Sequence, residues 1–342
     1  MQQVCEILIE SGLLLRAGRL CRRALPQASS ALLVTDANVA PLYAQTVADA
    51  FSEAGLRVRT VVLPAGEQTK QFAAVAKLYE ELCDFRLTDA DFVAALGGGV
   101  IGDAAGFAAS SYLGGVPLVQ IPTTLCAQAR AADVGSFSLH LPQGRELVHM
   151  HGEPICVLVD PDCLMSLPPR AFAAGIAEVI RIAAVSDAAL FESVSRLIGR
   201  AEAMARMEEV LRACRGAFEA DLAQRRDRFA YGQCFAEAIG RACRYRTYGR
   251  GERLAAGMCR ANAVGELLGI TPPRTANAVR AALERFSLPV RIPLPHAMLE
   301  DALRADRCRS GDRFAIPFLE EIGRVRIESL TVQELLPLCG ED

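Results

Sequence analysis

Apolar residues gather in short runs through the first half of the chain and move to helical spacing in the second. The runs are ALLVTD (31–36), RVRTVVL (57–63), DFVAAL (91–96), PLVQI (117–121) and ICVLVD (155–160), each of strand length and rich in β-branched residues. Between them, APLYAQTVADAFSEAG (40–55) and KQFAAVAKLYEELCDF (70–85) carry apolar residues on one helical face, with a glycine or an aspartate near the end. Strands alternating with helices predict parallel βαβ units. After residue 170 the chain is rich in Ala, Leu, Glu and Arg and poor in strand signals, which predicts a helical domain. The prolines of DPDCLMSLPPR (160–170) break both patterns and mark the seam, with expected domains at 1–162 and 163–342. A chain of 342 residues is long for one core and fits two.

The strongest chemical signal is DFVAALGGGVIGDAAG (91–106), an apolar strand running into a glycine-rich turn and a helix of small residues. Gly97, Gly98, Gly99 and Gly102, with Gly106 one turn on, leave backbone that can approach a phosphate closely, and a helix N-terminus adds N–H donors and a positive dipole end. The turn is not GxGxxG, and it follows the third predicted strand rather than the first. PAGEQTK (64–70) and IPTTL (121–125) place more polar groups at predicted strand ends, the side on which open α/β sheets bind ligands.

Composition narrows the classes. Hydrophobic content of 51% and charged content of 23% describe a soluble globular chain, and a net charge of −3 argues against a nucleic-acid binder. No apolar run of membrane-spanning length escapes a charge, and the start MQQVCEILIESGLLLRAG lacks a basic region and a cleavage site. Twelve cysteines without CxxC pairs suit a reducing, cytoplasmic setting. His149 and His151 share a strand face and with Glu153 form a weak metal candidate, although exposed loop histidines are commoner. The five arginines of RACRYRTYGRGER (241–253) could grip an anion, with a solvated helix end as the safer reading.

LPAGEQTK, LGGGVIGDAAGFAAS, IPTTLCAQ, SLPPRAFAAGIAEVIR and RGERLAAGM occur in the order they have in the 3-dehydroquinate synthase family, which this chain resembles over nearly its whole length. The resemblance implies an α/β N-terminal Rossmann-like domain that binds NAD, an all-α C-terminal domain, and an active site between them. It further implies the family reaction of the shikimate pathway, cyclisation of a phosphorylated seven-carbon sugar acid with NAD and a divalent metal, usually zinc, commonly in a homodimer.

Carried over by position, the cofactor-binding residues implied are Asp36, Asn38, Glu67, Lys70, Gly97, Gly98, Gly99, Asp103, Thr123 and Thr124. Ala65 stands where the family usually has an aspartate. The implied metal positions are Glu178, Gln233 and Arg250, of which the last two replace histidines. Gln is a weak neutral ligand and Arg has no lone pair to give, so a zinc, which needs three protein N, O or S ligands, is not expected. On the substrate side an aspartate, a lysine and an asparagine of the family become Arg130, Ser136 and His140, a further histidine becomes Glu237, an asparagine becomes Ala230 and a lysine becomes Cys308. Arg145, Arg226 and Arg307 keep positive charge; Glu178, Arg226 and Arg145 are the remaining candidates for catalytic positions.

The expectation is therefore a synthase-fold pseudoenzyme that still binds a dinucleotide, with Arg250 or a neighbouring arginine filling the metal position and pairing with Glu178. Two alternatives stand beside it. One is a sugar-phosphate cyclase with metal-independent chemistry, using Glu237 as acid or base on a small anionic or phosphorylated ligand; the other is a working synthase.

Overall fold

The computed structural model describes residues 5–131, 135–221, 226–306 and 310–339. The chain divides into two compact units, Met1–Leu167 and Pro168–Asp342.

In the first unit the strands are β1 (Glu6–Ile9), β2 (Ser30–Asp36), β3 (Arg57–Leu63), β4 (Phe92–Gly97), β5 (Leu118–Pro122), β6 (Ser136–Leu141), β7 (Gly144–His151) and β8 (Cys156–Val159). The helices are α1 (Ala17–Ala24), α2 (Gln45–Glu53), α3 (Phe72–Phe85), α4 (Gly99–Ser111) and α5 (Leu125–Ala129). Six strands form one parallel sheet in the order β1-β8-β5-β4-β2-β3.

The side-chain alternation of the central strands explains why the sheet is covered on both faces. Leu32 and Val34 of β2, with Val93 and Ala95 of β4, join the cluster built by α3 and α4 (Val75, Leu78, Leu82, Ile101, Ala105). Their neighbours Ala31, Leu33, Phe92, Ala94 and Leu96 point into a second cluster with Ala17, Cys21, Val47 and Phe51 from α1 and α2. A strand buried on both faces reads as a continuous apolar run, and that is why these strands stand out in the sequence.

Three features differ from the sequence expectation. The glycine turn follows the fourth strand, because four-residue β1 precedes the rest. An antiparallel hairpin, β6 with β7, follows α5, and it puts His149 and His151 on a strand rather than in a loop, both exposed. Gly102 and Gly106 serve packing rather than ligand approach: a Cβ would meet Gln120 Oε1 at 2.9 Å in the first case and the Phe137 ring at 2.4 Å in the second.

The second unit holds α6 (Pro169–Ser186), α7 (Ala188–Ser195), α8 (Gly199–Ala205), α9 (Met207–Asp221), α10 (Gln233–Ala242), α11 (Arg250–Leu267), α12 (Pro273–Glu284), α13 (His296–Arg304) and α14 (Val332–Leu335). It also carries one antiparallel pair, β9 (Arg313–Glu321) with β10 (Arg324–Thr331), where the sequence pattern predicts only helices. Helix α11 meets both α6 and the start of α10 backbone to backbone. A Cβ on Gly251 would lie 2.2 Å from the Ala174 Cα of α6, and one on Gly257 would lie 2.4 Å from the Gly232 carbonyl at the start of α10. Glycine is required at both places by that closeness, and α6 comes near enough to the start of α10 for Arg181 to reach Gln233. No helix among the described residues is long and apolar enough to cross a membrane.

Candidate functional site

Parallel strands end on one edge, so the polar groups that follow β2, β3, β4 and β5 collect there. After β2 the chain runs out to β3 and returns across β2 to β4, so β2 and β4 flank the point where the connections diverge and a crevice opens. The Asp36 Oδ1 at the end of β2 accepts the Asn38 and Val39 N–H groups at 2.8 and 3.1 Å, folding that turn tightly with Asn38 exposed.

The glycine turn ends β4 and opens α4. Gly98 is its N-cap and supplies no side-chain cap, and a Cβ on Gly99 would meet nothing within 4 Å. The first N–H groups of a helix have no partner within it, so an uncapped, unobstructed N-terminus is suited to an anion. Alongside it, Thr123 N–H donates to the Gly97 carbonyl at 2.9 Å, tying the ends of β4 and β5 together. The Thr123 hydroxyl is buried and has no hydrogen-bond partner. A buried orphan hydroxyl costs about 1–3 kcal/mol, which a ligand oxygen would remove; the cradle fits a phosphate group. Thr124 Oγ1 caps α5 by accepting the Ala127 N–H.

Glu67, Lys70 and Asp103 are tied to the β6–β7 hairpin, and the last two also to each other. Buried Lys70 donates to Asp103 Oδ2 at 2.5 Å and to Glu146 Oε1 at 2.7 Å. Asp103 Oδ1 accepts the Ser138 N–H at 3.3 Å. The His140 N–H donates to the Lys70 carbonyl at 2.8 Å. Its ring accepts the Glu146 N–H at Nδ1 (3.0 Å), which leaves the proton on Nε2 to donate to Glu67 Oε2 at 2.9 Å. Arg145 NH1 lies 3.5 Å from the same Glu67 oxygen. The hairpin tip is thus stapled to the turn after β3 by residues more than 70 positions away in the chain.

Burial alone would lower the Lys70 ammonium, but Asp103 and Glu146 together hold it above the ordinary lysine range. Burial raises the Asp103 carboxyl by more than Lys70 lowers it. We take Asp103 as ionised at neutral pH, since the carboxylate is the form that accepts from both Lys70 and Ser138. The His140 hydrogen bond, opposed by burial and helped by Arg145 and Lys70, lowers Glu67 to about 2. Its unfolded value lies near 4.3, at about the ordinary glutamate position. A depressed acid stabilises the fold fully above the unfolded value and loses that contribution as pH falls through the folded one. Stability of this unit should therefore fall between about pH 4.3 and pH 2, and Glu67→Gln should flatten that slope in acid titrations followed by circular dichroism. An unchanged slope would refute the assignment.

In the second unit, two of the three implied ligand positions, Glu178 and Gln233, lie in a network around a buried ion pair. Glu178 and Arg181 are 1% and 2% exposed and face each other one turn apart on α6, with Arg181 NH2 donating to Glu178 Oε1. Arg181 NH1 also reaches Gln233 Oε1 at 3.4 Å. The Gln233 amide continues the chain by donating to Glu237 Oε1 at 3.0 Å, while Tyr245 OH donates to Glu237 Oε2 at 3.1 Å. Arg253, 4% exposed, stands 3.9 Å from Glu237 and lies over the Tyr245 ring at 4.9 Å. Burial, then the neighbouring Glu237 charge, pushes the Tyr245 hydroxyl up to about 12, so it remains a donor.

Two expectations are corrected here. Arg250 begins α11 and is exposed; the arginine paired with Glu178 is Arg181, already adjacent in the AGIAEVIR motif. The arginine-rich run 241–253 is not wholly a solvated helix end, because Arg253 is buried in the network. Glu237 has both oxygens engaged. Sequence reasoning misses Glu146 and Tyr245 as participants, which nothing local in the sequence marks, and it singles out Arg253 only as one arginine of the 241–253 run. Among the described residues, no three His, Cys, Asp or Glu side chains are grouped to hold a metal ion. Arg307, Cys308 and the side chain of Arg226 lie outside the described residues.

A six-stranded parallel sheet with a glycine cradle, joined in sequence to a helical unit, defines a Rossmann-like α/β protein with a helical C-terminal domain. The family model described as 3-dehydroquinate synthase N-terminal matches residues 60–174, and that described as 3-dehydroquinate synthase C-terminal matches residues 175–308. The 3-dehydroquinate synthase of Clostridium kluyveri is 30% identical over 338 residues, 96% of this chain and 94% of its own. That of Symbiobacterium thermophilum is 37% identical over 312 residues, 88% and 87% of the two chains. The chain belongs to the 3-dehydroquinate synthase family. A solved structure of 2-deoxy-scyllo-inosose synthase with carbaglucose-6-phosphate, NAD+ and Co2+ has the same fold, with a TM-score of 0.87 at 20% identity over 99% of this chain and 98% of its own.

Proposed function

We propose that this chain is a dinucleotide-binding member of the family that does not carry out metal-dependent cyclisation, and that it acts by binding rather than by turnover. The observation that carries this is the Arg181 guanidinium, which donates to both Glu178 and Gln233, two of the three implied ligand positions. A bound dication would have to displace a buried, paired cation, and the third position is Arg250, which cannot donate a lone pair. The donor set does not fit zinc.

For the cofactor, the supporting features are the uncapped start of α4, the open space over Gly99 and the orphan Thr123 hydroxyl. They suit the pyrophosphate of NAD, with Asp36 and Asn38 at the adjacent strand end for the ribose side.

A thermal-shift and turnover panel tests the two halves separately. Millimolar NAD+ should raise the melting temperature by roughly 2 °C or more, the mass-action effect of a ligand well above its dissociation constant. Zinc should produce no saturable rise. Phosphate release from the phosphorylated seven-carbon sugar acid should equal the protein-free control, with or without chelator. Chelator-sensitive release would overturn the metal-free half, and absence of any NAD+ response would overturn the dinucleotide half.

A further inference from the structure

Lys70 is a buried cation at the ligand edge of a parallel sheet, beside a helix N-terminus that no side chain caps. Such a position would ordinarily suit a phosphate or carboxylate group. The chain supplies its own. Glu146 Oε1 sits 2.7 Å from the Lys70 ammonium, and Glu146 is half exposed whereas Lys70 is 4% exposed, so the carboxylate covers the cation on the solvent side.

Glu146 is held there against its backbone preference. Its φ of 50° is in the left-handed region, which costs a non-glycine residue free energy and persists where the surroundings over-determine it. Those surroundings are visible: the Glu146 N–H is fixed on His140 Nδ1, the hairpin register shifts between Leu139 and Leu141, and the His140 N–H is fixed on the Lys70 carbonyl. The bulge, the histidine and the strained residue act together to deliver one carboxylate to one ammonium. Among the described residues of this contact network, the carboxylates Glu67, Asp103 and Glu146 outnumber the cations Lys70 and Arg145.

We propose that Glu146 is an internal carboxylate ligand of Lys70 and a specificity-determining residue of this edge. Small ligands bearing a free phosphate or carboxylate group are excluded from Lys70 while Glu146 is in place. A dinucleotide, whose pyrophosphate uses the start of α4 and Thr123, does not depend on displacing it. Only the location of the ligand edge rests on the dinucleotide reading.

The test uses the full chain and inorganic phosphate as the probe, titrated at constant ionic strength against chloride, with NAD+ titrated in parallel. The native protein should respond to phosphate no more than to chloride. Glu146→Gln should gain a saturable response with an apparent dissociation constant at least about tenfold below that of the native chain, the scale of one charge-assisted contact, and Lys70→Met in that background should abolish it. Glu146→Gly, which relieves the left-handed backbone, serves as a second variant if the glutamine protein fails to fold. A folded Glu146 variant with no gain overturns the proposal, as does a gain that survives Lys70→Met. Loss of the NAD+ response in every protein would instead overturn the dinucleotide reading and leave the phosphate result standing on its own.

Discussion

Replacing Arg181 by methionine should destabilise the second unit by about 3–5 kcal/mol, the usual consequence of removing one member of a buried ion pair and stranding its partner. Glu178 is 1% exposed, and its carboxylate would remain buried once the Arg181 guanidinium is removed. Removing both charges is a different matter. Arg181→Met combined with Glu178→Leu should return to within about 1–2 kcal/mol of the native chain, since a buried pair replaced by apolar groups of similar volume is often neutral. Urea titrations of the native chain, both single variants and the double variant close the cycle. A single Arg181→Met variant within about 1 kcal/mol of native, or a double variant as unstable as the single, would falsify the assignment of Arg181 as the counter-charge. Because the pair is buried, the coupling should change little between low and high salt.

The second large effect concerns the contact that brings the helices together. Gly251→Ala would place a methyl 2.2 Å from the Ala174 Cα and 2.9 Å from its carbonyl oxygen. Both are backbone atoms, so α6 and α11 must separate, at about 1–3 kcal/mol or more. Gly216 offers the opposite case on the same unit. It lies inside α9 with nothing within 4 Å of a built Cβ, so Gly216→Ala should stabilise by about 0.5–1 kcal/mol through helix propensity. If the two substitutions shift the urea midpoint in the same direction, the packing account of Gly251 is wrong.

What is legible in the sequence follows from how each element is buried. Strands β2, β3, β4, β5 and β8 can be read because most are apolar on both faces, and α3 because Val75, Leu78, Leu82 and Phe85 repeat at helical spacing. Strand β1 has four residues and gives no periodic signal. Strand β6 alternates polar and apolar residues in SFSLHL, which is itself a strand signal, whereas β9 is hidden by Pro317, a residue that ordinarily argues against a strand. Family motifs locate the cradle and the implied ligand positions in the chain, but they cannot say what those residues touch. The Glu178–Arg181 pair is readable in principle, since residues three apart share a helix face. The contacts of Lys70 are not. They depend on a bulged hairpin far along the chain, and the residue that matters, Glu146, has no local signature.

Arg181 has a consequence beyond stability. A bound ion can be chelated, exchanged for a competing metal or left out when supply is short, and a site that folds around it inherits those weaknesses. A guanidinium tethered three residues from its carboxylate has no dissociation rate and no competitor. On the metal-free reading proposed above, the charge balance around Glu178 is fixed when the chain is synthesised, and it is indifferent to the trace-element content of its surroundings.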